Sequence, residues 1–292
     1  MSEENICIGR HIHKSRQEAD ECGQQMATGL RNKIISSLHS EIVLGDCLEV
    51  IKTLPDESIN LVVTDPPYGI SWQSKWYKSD AFEVMAGDGD LNWLSIVPDM
   101  YRVMKRDSSL YVFASHRKVD EVKAAFDKHF NFKNMLAIKK RHFSGLGDLS
   151  SYANGFEIAL YYTKGSVKFE KVNVKPVAQS HLKDTRHANK SFVHRPTSWI
   201  DWIPSSPYNI DIVHPTEKNV RLISLFIELN SREGDVVLDP FLGSGTTAVA
   251  REMLRRRWIG IELSKEYCET ARGRVAKWVS QSRLDKVWDN GD

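Results

Sequence analysis

A chain of 292 residues can bury a substantial core, either as one generous domain or as one domain with a smaller insert. Its formal charge of +2 excludes a polycation, so any nucleic-acid surface must be local. Cys7, Cys22, Cys47 and Cys268 are scattered without a paired framework, and no apolar run resembles a signal peptide or a membrane span; a soluble cytoplasmic protein is the expectation.

Residues 1–40 are polar and mixed in charge, and read as an N-terminal arm with a helix near 25–38. Cys7, His11, His13 and Cys22 could be taken for zinc ligands, but their spacing fits none of the usual structural patterns. The body opens with a strand at Glu41-Ile42-Val43-Leu44, followed by Gly45-Asp46 and a helix from about Cys47 to Leu54, which Pro55 closes. Next comes the apolar, β-branched run Ile59 to Val63, a buried strand, so that the three elements make a βαβ unit with parallel strands. Thr64-Asp65-Pro66-Pro67-Tyr68-Gly69 follows directly. Two prolines forbid both helix and ladder pairing there, so the chain leaves the sheet stiffly at the carboxyl end of a strand, where open α/β sheets place ligands. Asp65 can accept hydrogen bonds from an amino group, as can the carbonyls of Pro66 and Pro67, while Tyr68 offers a flat face for a planar base. Asp46, also at a strand end, can face the same crevice or stand as a surface turn acid.

Segment 70–90 is irregular, with Trp72, Trp76 and Tyr77 either packed beneath the loop or placed to stack beside a displaced base. Leu91, Leu94, Val97, Tyr101 and Met104 recur at helical spacing as core positions, with Pro98 kinking or dividing the helix. Strands near 110–114, 135–139 and 157–162 and a helix over about 117–129 continue the α/β alternation. The basic, glycine-rich stretch Arg141 to Gly147 reads as a lip of the crevice. From Lys164 to Ser198, eight basic residues stand against two acids, with three histidines and weak apolar periodicity. This break in the α/β pattern predicts a phosphate-contacting insert over 164–213, with Lys183, Arg186, Lys190 and Arg195 as contacts.

A second motif lies downstream. His214-Pro215-Thr216-Glu217-Lys218 opens a helix ending near Asn230, with Thr216 as its N-cap. Then come the strand Val236-Val237-Leu238-Asp239, the turn Pro240-Phe241-Leu242-Gly243-Ser244-Gly245 and a helix starting at Thr246-Thr247. Glycines 243 and 245 would let the backbone approach a ligand, and the free N–H groups of a helix start favour an anion. The next strand, Trp258 to Glu262, ends in an acid 19 positions after Gly243, the spacing at which a second-strand acid grips ribose hydroxyls. Thr246-Thr247 in place of a third glycine, with no phosphate-loop lysine, argues against a dinucleotide site.

Taken together, the Asp-Pro-Pro-Tyr, His-Pro-Thr-x-Lys, Asp-Pro-Phe-x-Gly-x-Gly and Ile-Gly-Ile-Glu motifs resemble the amino-methyltransferases of DNA that use S-adenosylmethionine, over roughly residues 41–280. Their order, catalytic motif first and cofactor motif last, resembles the permuted β group. The resemblance implies a doubly wound, Rossmann-like methyltransferase sheet, circularly permuted, with a basic target-recognition insert. Its catalytic half would span 41–163 and its cofactor half 214–280, with a tail at 281–292. It implies catalysis by Asp65, Pro66, Pro67 and Tyr68. Asp239, Phe241, Gly243, Ser244, Gly245 and Thr246 would surround the methionine part of the cofactor, with Glu262 on the ribose, Asp46 near the adenine, and Thr216 and Lys218 near the cofactor carboxylate. Lys140 stands where relatives often carry an aromatic, which weakens the case for base stacking from that side. Double-stranded DNA is the implied partner, with a homodimer and a companion restriction enzyme as further associations.

The implied reaction transfers a methyl group to N6 of adenine in a flipped-out base, with N4 of cytosine as the alternative. Absence of a Pro-Cys pair argues against C5-cytosine chemistry. RNA or protein methyltransferases could share Pro-Pro-Tyr but generally place the cofactor motif first. A DNA-binding regulator on an inactive enzyme fold is the rival from another class, and the intact Asp65 and cofactor turn argue against it.

Overall fold

The structure, a computed structural model, describes residues 40–69, 90–140, 150, 152–170, 196–201 and 218–289. Its strands are β1 Glu41–Leu44, β2 Ile59–Thr64, β3 Met104–Ala114, β4 Asn131–Lys139, β5 Phe156–Lys164, β6 Trp199–Ile200, β7 Val236–Asp239 and β8 Arg257–Glu262. Its helices are α1 Cys47–Thr53, α2 Val97–Val103, α3 Val119–Phe126, α4 Val220–Asn230, α5 Thr246–Met253 and α6 Lys265–Asp289, with a 3-10 turn over Asn92–Ile96. The strands form one sheet in the order β1-β8-β7-β2-β3-β5-β4-β6. Every neighbouring pair is parallel except the two made by β5, which runs antiparallel between β3 and β4.

Strand alternation sends successive side chains to opposite faces. In β2, Val62 joins the core under α1, α2 and α3, whereas Leu61 and Val63 join the core under α4 and α5; Ile59 shares the face of Val62 because the register shifts between Ile59 and Leu61. Near β1 and β8, Ala248 of α5 and Cys268 and Ala271 of α6 close the second face over Ile42 and Trp258. Helices thus cover both faces, and the doubly wound sheet expected from the sequence is the one that forms. The chain leaves β7 through α5 towards β8, and leaves β2 through α2 towards β3. These connections diverge between the adjacent strands β7 and β2, which opens a crevice at their carboxyl ends.

Several elements depart from expectation. Of the two outcomes expected at Pro98, division is the one that forms: a 3-10 turn precedes it, and α2 restarts with Pro98 in its first turn. Val97 is buried and Leu91 and Leu94 pack against the core as expected, but three residues per turn add Trp93, Ile96, Met100 and Val103 to the buried stripe, while Tyr101 faces outward at 37% exposure. Met104 is buried, but as the first residue of β3, whose polar start hid it from an apolar count. The N-cap of α4 is Asn219, whose side chain accepts from the N–H groups of Arg221 and Leu222; Thr216, expected in that place, lies outside the described residues. Lys164, counted at the head of the basic run, ends β5, and its Nζ donates to the carbonyls of Tyr101 and Met104. Phe169 stacks on Tyr161 and Glu170 pairs with Arg232, so this part of the run follows the sheet. Among the described residues, no helix is long and apolar enough to cross a membrane.

Candidate active site at the rim of the sheet

Because β1, β8, β7, β2 and β3 are mutually parallel, their carboxyl ends share one rim, and Asp46, Asp239, Glu262 and Asp65 all reach it. Antiparallel β5 begins where β3 ends, Ile158 pairing with Ala114, so Glu157 arrives at the same rim.

Thr64, the last residue of β2, donates its hydroxyl to Asp239 Oδ1 at 2.9 Å, which ties the ends of β2 and β7 together. The same oxygen accepts the N–H of Phe241 and fixes the start of the Pro240–Gly245 turn. Asp239 is buried, and burial raises its pKa against the opposing pull of Arg251 and Thr247. Arg251 lies fully buried behind it and donates to the carbonyls of Thr247 and Val237; burial pushes its pKa down to about 9 despite Asp239. Asp239 therefore organises the turn from beneath.

Glu262 closes the turn from the other side. Its Oε2 accepts the N–H of Gly243 at 2.8 Å and its Oε1 accepts the N–H of Ser264 at 2.8 Å. Burial raises its pKa, and these backbone donors pull the other way. Each carboxylate oxygen can accept a second bond, so the pair can still take a vicinal diol. Asp46 caps α1 through the N–H of Leu48, and Gly45 N donates to the Glu262 carbonyl, so Asp46 stands exposed beside Glu262.

The two glycines play different parts. At Gly243, φ is +54° and an added Cβ would meet open space, so this glycine leaves the floor of a cradle clear. At Gly245, φ is +88° and an added Cβ would lie 2.7 Å from Ala271 Cβ, so it exists to let α6 pack against the helix start rather than to admit a ligand. Ser244 is likewise turned to α6: its hydroxyl oxygen and carbonyl accept from Arg274 at 2.9 and 2.8 Å. Thr246 is buried at the first turn of α5. An open glycine cradle, an acid with spare acceptor capacity and the half-buried Phe241 ring fit an adenosyl ligand carrying an amino-acid tail.

On the β2 side, Asp65 and Tyr68 are half-buried and Pro66 is buried. Tyr68 donates its hydroxyl to Asp65 Oδ1 at 2.6 Å. Lys218, at the approach to α4, donates to Tyr68 Oη at 3.1 Å and pairs with Asp65 Oδ2 at 2.9 Å, with Glu157 Oε2 3.6 Å from its Nζ. Burial, then Asp65, raises the Tyr68 pKa well above the usual phenol range and keeps it a donor. Burial would depress Lys218, but Asp65, Tyr68 and Glu157 outweigh it and hold the ammonium well above its ordinary pKa. The structure thus brings Lys218 to Asp65 and Tyr68 at the end of β2. The Pro67 carbonyl is also occupied: it accepts Trp93 Nε1 at 2.9 Å, and Trp93 meets the Phe241 ring edge-on at 5.5 Å. One buried indole therefore joins the two motifs.

Trp93, Glu157, Arg251 and Arg274 were not singled out from the sequence. Glu157 was legible only as the polar start of an apolar strand, and Trp93 fell outside the assumed helical period. Lys183, Arg186, Lys190 and Arg195, the lip 141–147, the aromatics of 70–89 and the Cys7–Cys22 group lie outside the described residues. Among the described residues, no three His, Cys, Asp or Glu side chains are grouped to hold a metal.

Comparison with known proteins places this geometry in a family context. The family model described as DNA methylase, N6_N4_Mtase, matches residues 59–273. The chain is 30% identical over 258 residues to the type II methyltransferase M.BamHI of Bacillus amyloliquefaciens, covering 84% of this chain but only 59% of that protein. It is 29% identical to the DNA adenine methyltransferase YhdJ of Escherichia coli K12, over 90% of this chain and 92% of the relative. Among solved structures, the M1.HpyAVI–SAM complex aligns with a TM-score of 0.57 and 26% identity, over 80% of this chain and 98% of that one. The cytosine-N4-specific PvuII DNA methyltransferase aligns with a TM-score of 0.56 over 81% of this chain and 86% of that one, its 20% identity attesting to the fold.

Proposed function

The chain belongs to the N6/N4 DNA methylase family, and from that premise we propose that it is a site-specific methyltransferase moving a methyl group from S-adenosylmethionine to N6 of adenine in double-stranded DNA. The observation that carries the reading is the pairing of Asp65 and Tyr68 at the end of β2, one strand from the Gly243–Glu262 cradle at the ends of β7 and β8.

Bound S-adenosylmethionine supplies an electrophilic methyl on a positively charged sulfur, and the C–S electron pair stays with sulfur as the amino nitrogen takes the methyl. Gly243, Phe241 and Glu262 would hold this donor, with Asp46 beside the adenine. The target amino group is hidden in a base pair, so its nucleotide must leave the stack at a cost of a few kcal/mol. Once out, the base stacks on Tyr68. Its amino group donates to Asp65 and to the Pro66 carbonyl, Pro67 being committed to Trp93. An exocyclic amino nitrogen is a poor nucleophile because its lone pair is delocalised into the ring. Two acceptors draw it towards tetrahedral geometry and aim the lone pair, which is catalysis by positioning and electrostatics. Asp65 is acceptor-only when ionised, so it stabilises the positive charge that grows on nitrogen until the surplus proton passes to water.

In the same reading, the target-recognition insert expected over 164–213 is confined to the stretch between Glu170 and the β6 strand that rejoins the sheet, and its Lys183, Arg186, Lys190 and Arg195 contact phosphates. The likeness to a cytosine-N4 enzyme keeps N4 of cytosine as the second reading; the adenine-specific relative and the Asp before Pro-Pro-Tyr favour adenine.

The test is methylome sequencing of DNA from cells expressing the chain, with nucleoside digestion of the product. N6-methyladenine at a defined site is the expected result. N4-methylcytosine would preserve the mechanism and change the base, and unmodified DNA would overturn the assignment.

A further inference from the structure

The ammonium of Lys218 sits at the carboxyl end of β2, against the two side chains on which the amino group is proposed to rest. It contacts Asp65 Oδ2 at 2.9 Å and Tyr68 Oη at 3.1 Å, while Tyr68 donates to Asp65 Oδ1 at 2.6 Å. The three side chains close a ring. Each Asp65 oxygen has one internal donor and keeps one acceptor direction for an incoming amino group. Lys218 is only 10% exposed and lies 5.0 Å from the Phe113 ring centroid and 5.6 Å from that of Tyr68, so it supports the carboxylate from the protein side.

We infer that Lys218 is a positioning residue for methyl transfer, fixing Asp65 and Tyr68 as one unit, and that Glu157 keeps that unit anionic. The inference rests on the methyltransferase reading above. A lone ammonium beside Asp65 would oppose the positive charge that develops on the amino nitrogen, since both would draw on one carboxylate. Glu157 Oε2 lies 3.6 Å from the same Nζ. Two carboxylates share one ammonium, which leaves a net charge of −1 facing the substrate. Lys218 can thus give geometry without cancelling the field that Asp65 must supply. Its charge is secured by the same neighbours, which hold its pKa well above the ordinary lysine value against the effect of burial.

The experiment compares wild type with Lys218→Met, Lys218→Arg, Glu157→Gln, Asp65→Asn and the double variant Asp65→Asn/Lys218→Met. It measures S-adenosylmethionine affinity by calorimetry and single-turnover methylation of a duplex containing the mapped site. Loss of one charge-assisted hydrogen bond predicts a roughly 10- to 100-fold slower transfer step in Lys218→Met, with cofactor affinity within about twofold of wild type. Lys218→Arg should recover part of the rate. Glu157→Gln, at a half-exposed position, should slow transfer by a smaller factor without affecting binding. Asp65→Asn/Lys218→Met should be no slower than Asp65→Asn alone, because the two residues act as one unit. A merely structural role would give additive losses and no rescue by arginine, and would overturn the inference. So would a Lys218→Met enzyme of normal single-turnover rate at saturating cofactor but weakened cofactor affinity, which would return Lys218 to the cofactor site. If Lys218→Met does not fold, Glu157→Gln and Lys218→Arg decide: normal transfer in Glu157→Gln overturns the charge-sharing proposal. If wild type itself leaves the duplex unmodified, the functional reading fails, and that result is separate from any outcome on Lys218.

Discussion

The two corners of the crevice are built on different principles. At the β7–β8 corner, the acid of the cradle, Glu262, is held by the backbone N–H groups of Gly243 and Ser264, and Phe241 N–H reaches Asp239, which also accepts the Thr64 hydroxyl. At the β2 corner, Asp65 is satisfied by side chains, the neighbouring Tyr68 and the distant Lys218 from the approach to α4, with Glu157 from β5 behind that lysine. Backbone donors are fixed by the turn itself and hold a ligand whose shape does not change. A side-chain ring can adjust by a few tenths of an ångström as an amino nitrogen changes geometry. The cofactor corner is thus made for binding and the Asp65 corner for a changing charge.

The largest loss of function is expected at Asp65. Asp65→Ala removes the acceptor that matters most when nitrogen gains charge, so single-turnover methylation should fall by roughly two or more orders of magnitude. Calorimetry should find S-adenosylmethionine affinity close to wild type. Near-normal turnover would end the proposed mechanism. Glu262→Ala attacks the opposite corner and should do the reverse. Removing an acceptor that also anchors Gly243 should weaken cofactor affinity by roughly 10- to 100-fold, with the rate at saturating cofactor largely kept. Unchanged affinity would remove Glu262 from the binding site.

How much of each corner could be read in advance follows from the same contrast. The cofactor corner was legible because strand, turn, helix start and second-strand acid lie within 27 consecutive residues, Val236 to Glu262, and local chemistry fixes their relations. The parallel strands at Glu41, Ile59, Val236 and Trp258 were legible for the same reason. The Lys218 ring was not. It depends on α4 running opposite to β2 and β3 on the second face, and on β5 being antiparallel, which no short-range pattern encodes. Arg251 hid inside an apolar helix, where an arginine reads as a surface residue until its donors are seen to meet Thr247 and Val237. The roles of Gly243 and Gly245 also looked alike in sequence, although only the packing of Ala271 tells them apart.

That last distinction gives a stability test within the cofactor corner. Gly245→Ala must fit a Cβ 2.7 Å from Ala271 Cβ at a left-handed φ, and should cost about 2–4 kcal/mol by combined strain and overpacking. Gly243→Ala carries the backbone strain alone, about 1–2 kcal/mol, but puts a methyl group into the cradle. Denaturant unfolding should therefore rank Gly245→Ala as the less stable variant, and calorimetry should rank Gly243→Ala as the weaker cofactor binder. Equal losses of stability would show that α6 yields, and that the assignment of Gly245 to packing is wrong.

The smallest expected effect tests the link between the corners. Trp93 donates Nε1–H to the Pro67 carbonyl at 2.9 Å and packs edge-on against Phe241. Trp93→Phe keeps an aromatic ring near Phe126 and Phe241 but deletes the donor. The Pro67 carbonyl must then find water or remain unpaired, and a neutral hydrogen bond of this kind is worth about 0.5–1.5 kcal/mol. Because prolines 66 and 67 already restrict φ, the loop should not collapse; it should lose the register that aligns Pro66, Asp65 and Tyr68 with the cofactor turn. A roughly 3- to 10-fold drop in single-turnover methylation is expected, with cofactor affinity changed by less than that. Loss confined to cofactor affinity would mean that Trp93 serves Phe241 alone. A rate equal to wild type would mean that the two prolines hold the Asp65 turn without help from the other side of the crevice.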